Sequence, residues 1–127
     1  MGGIKSFYDL EVWQEAHKLT LEIYRLIKSF PDEERYALAS QVRRCSSSVG
    51  ANIAEGFGRY HHKDKIKFFY NARGSLVETQ NFLFLAQDLK YIEKNQARKL
   101  FSDYENLAKR INGLIKSIGK KPMTDDQ

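Results

Sequence analysis

The chain contains little cysteine and little proline. Among its 127 residues there is one cysteine, Cys45, and there are two prolines, Pro31 and Pro122. A single cysteine excludes an internal disulfide and is typical of a reducing compartment. Because the neighbours of Cys45 at helical spacing are apolar, we interpret it as a small core residue. The scarcity of proline leaves room for long uninterrupted helices.

Long hydrophobic runs are also missing. A membrane-spanning helix needs roughly 18 or more apolar residues, and no run in this sequence approaches that length. The N-terminus has no basic segment followed by an apolar one, so no signal peptide is indicated. Residues 1–6 match the loose pattern for N-myristoylation, but no second anchor accompanies it. We therefore expect an unlipidated, cytoplasmic protein with no membrane role.

The length and charge are those of a small basic domain. A chain of 127 residues with a net charge of +5 forms one domain and permits a nucleic-acid partner without requiring one. We expect a flexible N-terminus over residues 1–6, a helical domain over 7–119 and a disordered tail over 120–127.

Apolar residues recur at intervals of three and four in four segments, which indicates amphipathic helices. These segments are 9–30, 32–56, 64–89 and 93–119. No window alternates between polar and apolar residues, so the sequence predicts an all-α protein. Short joints between long helices predict an antiparallel up-and-down four-helix bundle. An apolar period of about 3.5 residues favours shallow left-handed crossings.

Helices one and three carry more apolar residues than a bundle core requires. The surplus forms either a widened core face or a second interface, and the sequence leaves both open. Exposed apolar patches usually mark association, so these residues are candidates for an oligomer interface. They are Leu10, Leu21, Tyr24, Phe69, Tyr70 and Phe84.

Small residues and inward-facing polar residues mark helices two and three. Residues 45–51 consist of Cys, Ser, Val, Gly and Ala, and with Gly74 they predict a close approach between these helices. We expect a buried structural network that fixes helix register, with Glu55 close to Arg73. Its members are Asn52, Glu55, Arg73, Ser75 and Glu78.

The alternative role for this network is chemical. Glu55 and Glu78 could form an acid–base pair or bind a metal. Di-metal bundles, however, carry a Glu-x-x-His motif on two helices, and none of the three histidines follows a glutamate at that spacing. We therefore expect no catalytic residue, no metal site and no cofactor.

A basic cluster follows helix two. Arg59, Lys63, Lys65 and Lys67 are interleaved with one tyrosine and two histidines. Cations beside aromatic rings suit a surface that follows phosphates and stacks bases. The alternative is that these cations merely solvate helical faces. With Arg43 and Arg44, the four residues form the candidate nucleic-acid-binding set.

An ordered set of short motifs runs through residues 7–118. The motifs are Asp9-Leu10-Glu11-Val12-Trp13, Phe30-Pro31 with Glu34-Arg35-Tyr36, Gln41-Val42-Arg43-Arg44, Asn52-Ile53-Ala54-Glu55-Gly56, and Phe68, Ala72-Arg73-Gly74-Ser75-Leu76 and Glu78. In these motifs the chain resembles a family of bacterial four-helix-bundle proteins named after open reading frames in intervening sequences of 23S rRNA genes. It is also similar to the accessory variability protein of diversity-generating retroelements, a basic pentamer that works with a reverse transcriptase and its RNA. One departure is Lys90, where the family often has Gly.

The resemblance implies an up-and-down bundle that assembles as a ring-like homo-oligomer, commonly a pentamer. It also implies no known enzymatic activity and no settled molecular function. We therefore expect a non-enzymatic, homo-oligomeric basic protein that contacts structured RNA or a nucleoprotein. The alternative is an assembly scaffold with no nucleic-acid role. A ring would gather the basic turns at 59–67 on one rim.

Overall fold

The structure, a computed structural model, describes residues 3–120 and within them forms four long helices and no strand. The helices pack in a closed square: α1 and α3 each lie against both α2 and α4. The predicted all-α four-helix bundle is therefore confirmed. The helices are α1 (Glu11–Leu26), α2 (Leu38–Gly58), α3 (His62–Asp88) and α4 (Lys94–Gly119).

The ends of α1 and the start of α2 differ from the sequence prediction. Asp9 accepts hydrogen bonds from the backbone N–H groups of Lys5 and Ser6 at 3.1 Å, so it stabilises a 3-10 turn (Phe7–Asp9) that precedes α1. The acidic segment 32–34 is a separate 3-10 turn, and α2 begins only at Leu38. Glu34 still serves that helix, because its carboxylate accepts the N–H of Leu38 at 3.2 Å.

The start of α3 also differs from the sequence prediction, and parts of the two chain ends are not described by the structure. Helix α3 begins at His62, two residues before the predicted start at residue 64, so Asp64 lies within its first turn. Of the segments expected to be flexible, residues 1–2 and 121–127 lie outside the described residues.

The joint between α3 and α4 is a turn with a left-handed residue. Lys90 has φ 65°. The N–H of Tyr91 donates to the carbonyl of Ala86 and the N–H of Lys90 donates to the carbonyl of Gln87, both at 2.9 Å, which is the Schellman pattern that ends many helices. Glycine adopts this conformation with the least strain. Lys90 therefore adopts this backbone conformation with more strain than a glycine would at the same position.

Phe69 belongs to the core, so its prediction as an interface residue is wrong. Its side chain is 2% exposed. A Cβ atom built on Gly56 would lie 2.8 Å from Phe69 Cε1 and 3.1 Å from Phe68 Cβ. The missing side chain of Gly56 thus lets the ring of Phe69 pack directly against the backbone of α2.

The small-residue segment of α2 approaches α1 as well as α3. On the α1 side, Thr20 Oγ1 lies 3.0 Å from the carbonyl oxygen of Ser46, and a Cβ on Gly50 would lie 3.5 Å from Trp13 Nε1. On the α3 side, Ser48 Oγ and Ser75 Oγ are 3.0 Å apart. Gly74 was expected to join this close approach, but a Cβ there would meet open space. That part of the prediction is wrong because Gly74 faces outward.

The contrast between two helical glycines gives a test of the α2–α3 packing. We expect Gly56→Ala to destabilise the protein by about 1 to 3 kcal/mol, because the added methyl group overlaps the buried ring of Phe69. Gly74→Ala is the matched control, and we expect it to stabilise the protein by about 0.5 to 1 kcal/mol through helix propensity alone. Denaturant unfolding of both variants measures the difference. Equal effects of the two substitutions would contradict the close approach at Gly56.

Candidate nucleic-acid interface and assembly faces

Cations gather at the end of the bundle that holds the α2–α3 turn. Residues 59–67 contain four cations and one acid, and residues 109–120 contain four cations and no acid. The two segments meet because α4 runs antiparallel to α3: Arg73, early in α3, donates to Asn112 Oδ1, late in α4, at 2.7 Å. We call this surface the basic end. Its residues are Arg59, Lys63, Lys65, Lys67, Lys109, Arg110, Lys116 and Lys120.

The four cations of the α2–α3 turn differ in how they are held. Arg59 forms an ion pair with Glu55 at 2.8 Å, and its guanidinium lies 4.7 Å from the centre of the Phe68 ring. Lys65 donates to the carbonyl of Phe57 at 2.9 Å. Lys63 and Lys67 are exposed and form no hydrogen bond or ion pair with the residues that the structure describes. These two lysines are the most accessible cations of the turn.

Arg43 and Arg44 do not join the basic end. They lie roughly 23 Å from Arg59 along α2, at about 1.5 Å per residue. Arg43 donates to the carbonyl of Arg35 at 3.0 Å, and Arg44 donates to Ser40 Oγ at 2.9 Å. The sequence grouped all six cations as one set, and the structure separates these two from the other four.

Part of the expected polar network lies between α2 and α3. Asn52 Nδ2 donates to the backbone carbonyl and the hydroxyl of Ser48, both at 2.9 Å, and the hydroxyl of Ser75 lies 3.0 Å from that of Ser48. One turn further along, Thr79 Oγ1 lies 3.2 Å from Cys45 Sγ. Sequence reasoning placed Ser48 in the close approach but not in the polar network, and it missed Thr79.

The charged members of that network are not buried. Glu55 and Glu78 are both exposed, and Arg73 donates to Asn112 instead of Glu55. The expected Glu55–Arg73 contact is therefore wrong. An unpaired carboxylate is strongly disfavoured inside a bundle, and Glu55 remains at the surface with Arg59 one turn away. The structure does not bring Glu55 and Glu78 together as an acid–base pair.

Two buried titratable groups stay neutral. Burial raises the pKa of the Cys45 thiol, and the charge of Glu78 raises it further, which outweighs the hydrogen bond with Thr79. Burial also raises the pKa of Tyr104, whose hydroxyl has no hydrogen-bond partner among residues 3–120. Cys45 is thus a buried, protonated core residue, as the sequence predicted. A thiol in this state is a poor nucleophile.

Metal-ligand clusters and membrane-spanning helices are both absent from the part of the chain that the structure describes. Residues 3–120 contain no group of three or more His, Cys, Asp or Glu side chains placed to hold a metal ion. None of the helices described here has a stretch that is long and apolar enough to cross a membrane.

A groove between α1 and α2 is lined mainly by apolar atoms. Leu21 and Tyr24 stand at its rim with 48% and 42% of their surface exposed. Trp13 forms its far wall, where it stacks on His17 with ring centres 4.7 Å apart. We call this surface the α1–α2 groove. Its residues are Trp13, His17, Thr20, Leu21, Tyr24, Ser47, Gly50 and Ala51.

A second exposed apolar surface runs along α3. Tyr70, Val77 and Phe84 are 47%, 56% and 53% exposed, and their spacing of seven residues places them on one helical face. The ring of Phe84 lies 4.9 Å from that of Phe101, so the surface borders α4. We call these three residues the α3 stripe. Sequence reasoning missed Val77, although its seven-residue spacing from both aromatic residues was the available signal.

The two apolar surfaces face opposite sides of the bundle. In a square of four helices, the side formed by α1 and α2 is opposite the side formed by α3 and α4. Leu10 belongs to neither surface, because it is partly buried and packs against the core. Of the six predicted interface residues, Leu21, Tyr24, Tyr70 and Phe84 are therefore exposed, and Leu10 and Phe69 are not.

Comparison with solved structures agrees with this fold. A protein of unknown function from the S23 ribosomal protein family of Bacteroides thetaiotaomicron superposes with a TM-score of 0.77 and 25% sequence identity. The alignment covers 83% of this chain and 95% of the other. Comparison with the curated proteins gave no match.

The first three helices, most of α4, the Asn52–Ser48–Ser75 contacts and the α2–α3 turn lie within the region that matches a family model. That region spans residues 8–113, and the model describes the 23S rRNA-intervening sequence protein. This chain belongs to the 23S rRNA-intervening sequence protein family.

Proposed function

We propose that this protein is a non-enzymatic homo-oligomer that forms a closed ring, most simply a pentamer, and binds structured RNA or a nucleoprotein through its basic end. The observation that carries the proposal is the arrangement of three surfaces on one protomer. Two different apolar surfaces face opposite sides, and the cations gather at one end of the same bundle.

Ring assembly is supported by the difference between the two apolar surfaces. The α1–α2 groove is an open pocket whose lining includes the small residues Gly50 and Ala51, whereas the α3 stripe presents three large exposed side chains, two of them aromatic. A surface that packs against a different surface of the next copy makes a heterologous contact, and such contacts close into rings. In this arrangement the α3 stripe of one protomer enters the α1–α2 groove of the next.

RNA binding is supported by the charge at the basic end. Residues 59–67 and 109–120 contain eight cations and one acid. Arg59 and Arg110 form ion pairs with Glu55 and Glu11, at 2.8 and 2.7 Å, and the remaining positive charge attracts phosphates without any base-reading module. Tyr60 is exposed beside these cations and offers a ring for stacking. A ring repeats this surface once per protomer, so modest individual contacts combine into stronger binding. Such contacts select RNA by shape and backbone.

A second candidate, a protein assembly scaffold with no nucleic-acid role, is favoured by one observation. Four of the six predicted nucleic-acid-binding residues already form contacts within the protomer, namely Arg43, Arg44, Arg59 and Lys65. In that case the apolar surfaces alone would carry the function.

Assembly gives the first test of the proposal. We expect the wild-type protein to be a discrete oligomer of the 14.8 kDa chain at micromolar concentration, and we expect Leu21→Glu or Phe84→Glu to convert it to monomer. In the proposed ring every protomer contributes its groove to one contact and its stripe to another. Each glutamate therefore places a charge in every contact of the ring. Size-exclusion chromatography with light scattering measures the mass.

The control for this test is Tyr36→Glu. Tyr36 is the most exposed aromatic residue of the described chain and lies outside both apolar surfaces. We expect this variant to keep the wild-type mass. A wild-type protein that is monomeric at micromolar concentration would contradict ring assembly.

Salt dependence tests the RNA-binding part. We expect RNA affinity to fall steeply with ionic strength, and we expect Lys63→Gln/Lys67→Gln to weaken binding and to reduce the slope of log K against log salt by about one to two for each protomer in contact. The matched control is Arg25→Gln/Lys94→Gln, which removes the same charge at the opposite end of the bundle.

Two outcomes would favour the scaffold with no nucleic-acid role. If both double variants bind RNA alike, or if wild-type affinity does not change between low and moderate salt, the basic end does not bind RNA. The oligomer measurement is independent of this result.

A further inference from the structure

The joint between α1 and α2 forms an open pocket of about 340 Å³ at the end of the bundle opposite the basic end. That volume falls within the range of roughly 300 to 1,000 Å³ found for small-molecule sites. We call it the joint pocket. Its lining residues are Tyr24, Ile27, Lys28, Phe30, Pro31, Asp32, Arg35, Ala39 and Arg43.

The rim of the joint pocket is cationic. Lys28, Arg35 and Arg43 line it, with Asp32 as the only acid among its lining residues. Arg43 is half-buried and is held by a hydrogen bond from Nη2 to the carbonyl of Arg35 at 3.0 Å. A guanidinium has five N–H donors, so the side chain that is anchored in this way retains donors for an anion.

Of the two neighbouring acids, Glu33 does not line the pocket and Glu34 is turned away from its rim. Glu34 accepts hydrogen bonds from the hydroxyl of Tyr91 at 2.8 Å and from the N–H of Leu38 at 3.2 Å. These contacts direct its carboxylate toward the α3–α4 joint and the start of α2. The three cations of the pocket are therefore opposed by Asp32 alone among the lining residues.

The floor and one wall of the joint pocket are apolar. Ile27, Phe30 and Ala39 are buried beneath it, and the half-exposed ring of Tyr24 forms a side wall. A bare phosphate would leave this apolar surface unmatched, and a purely hydrophobic molecule would leave three cations unmatched. A phosphate attached to a flat aromatic body matches both, because guanidinium groups bind phosphate oxygens and tyrosine rings stack on bases.

We propose that the joint pocket binds a nucleoside monophosphate unit, with its phosphate on Arg35, Arg43 and Lys28 and its base against Tyr24. The unit is either a free nucleotide or the phosphorylated 5′ end of an RNA chain, which present the same chemistry. The proposal does not depend on the basic end, which lies at the other end of the bundle. It shares Tyr24 with the α1–α2 groove, so the assembly size is measured beside every affinity.

Calorimetric titration of the full chain with AMP, adenosine and inorganic phosphate tests this proposal. We expect AMP to bind at least about tenfold tighter than adenosine or phosphate alone, because only AMP uses both halves of the pocket. Arg35→Gln should weaken AMP binding by about tenfold or more, since it removes a charge-assisted contact. Arg35 is exposed, so this variant is expected to fold.

Arg25→Gln is the matched control, because Arg25 is exposed and lies outside the joint pocket. We expect this variant to bind AMP with the wild-type affinity. All variants are compared at the same protein concentration, and the assembly size of each is measured. Any of three results would overturn the proposal. They are equal affinities for AMP and adenosine, equal weakening of AMP binding by Arg35→Gln and Arg25→Gln, and no binding of AMP.

Short oligonucleotides with a 5′ phosphate or a 5′ hydroxyl identify the source of the unit. Tighter binding of the phosphorylated oligonucleotide than of its 5′-hydroxyl form supports an RNA end, and equal binding of the two forms together with tight AMP binding supports a free nucleotide. Lys63→Gln/Lys67→Gln should leave AMP affinity unchanged, and Arg35→Gln should leave the salt slope of RNA binding at the basic end unchanged. Failure of one proposal is thereby distinguishable from failure of the other.

Discussion

The close packing of α2 against α3 is the contact on which the rest of this bundle depends. Gly56 leaves space for the ring of Phe69, and two turns earlier Ser48 meets Ser75 at 3.0 Å. The hydrogen bond between these two partly buried hydroxyl groups satisfies polar atoms that would otherwise be costly at a helix–helix contact. Side chains this small bring two backbones together and fix their register, which in turn fixes where α1 and α4 can pack.

That register determines which surfaces remain for other molecules. With Phe69 turned into the core, the helical period places Tyr70, Val77 and Phe84 outside, on the face that borders α4. The same packing leaves α1 with Leu21 and Tyr24 at the rim of a groove on the opposite side. The antiparallel return of α4 adds its cationic last turns to the α2–α3 turn. Assembly and RNA binding are thus proposed for surfaces that one packing arrangement creates.

The sequence predicted the helices well and the inward or outward direction of individual side chains less well. Apolar spacing of three and four identified all four helices, because burial of one stripe dominates helix packing. It misplaced Phe69 and Gly74, since adjacent positions on a wide apolar face differ by only about 100° around the axis. It also placed Glu55 and Glu78 inside the bundle, where an unpaired charge is disfavoured. The joint pocket was missed because its cations are separated in sequence and meet only through the turn at Pro31.

Head-to-tail assembly through two different surfaces is tested most directly by mixing Leu21→Glu protein with Phe84→Glu protein. The first variant retains an intact α3 stripe and the second retains an intact α1–α2 groove, so one good interface can form between them. Light scattering should then report a one-to-one heterodimer from two variants that are each monomeric alone. A mixture that stays monomeric would contradict the arrangement, because the intact α3 stripe of one variant would then fail to bind the intact α1–α2 groove of the other.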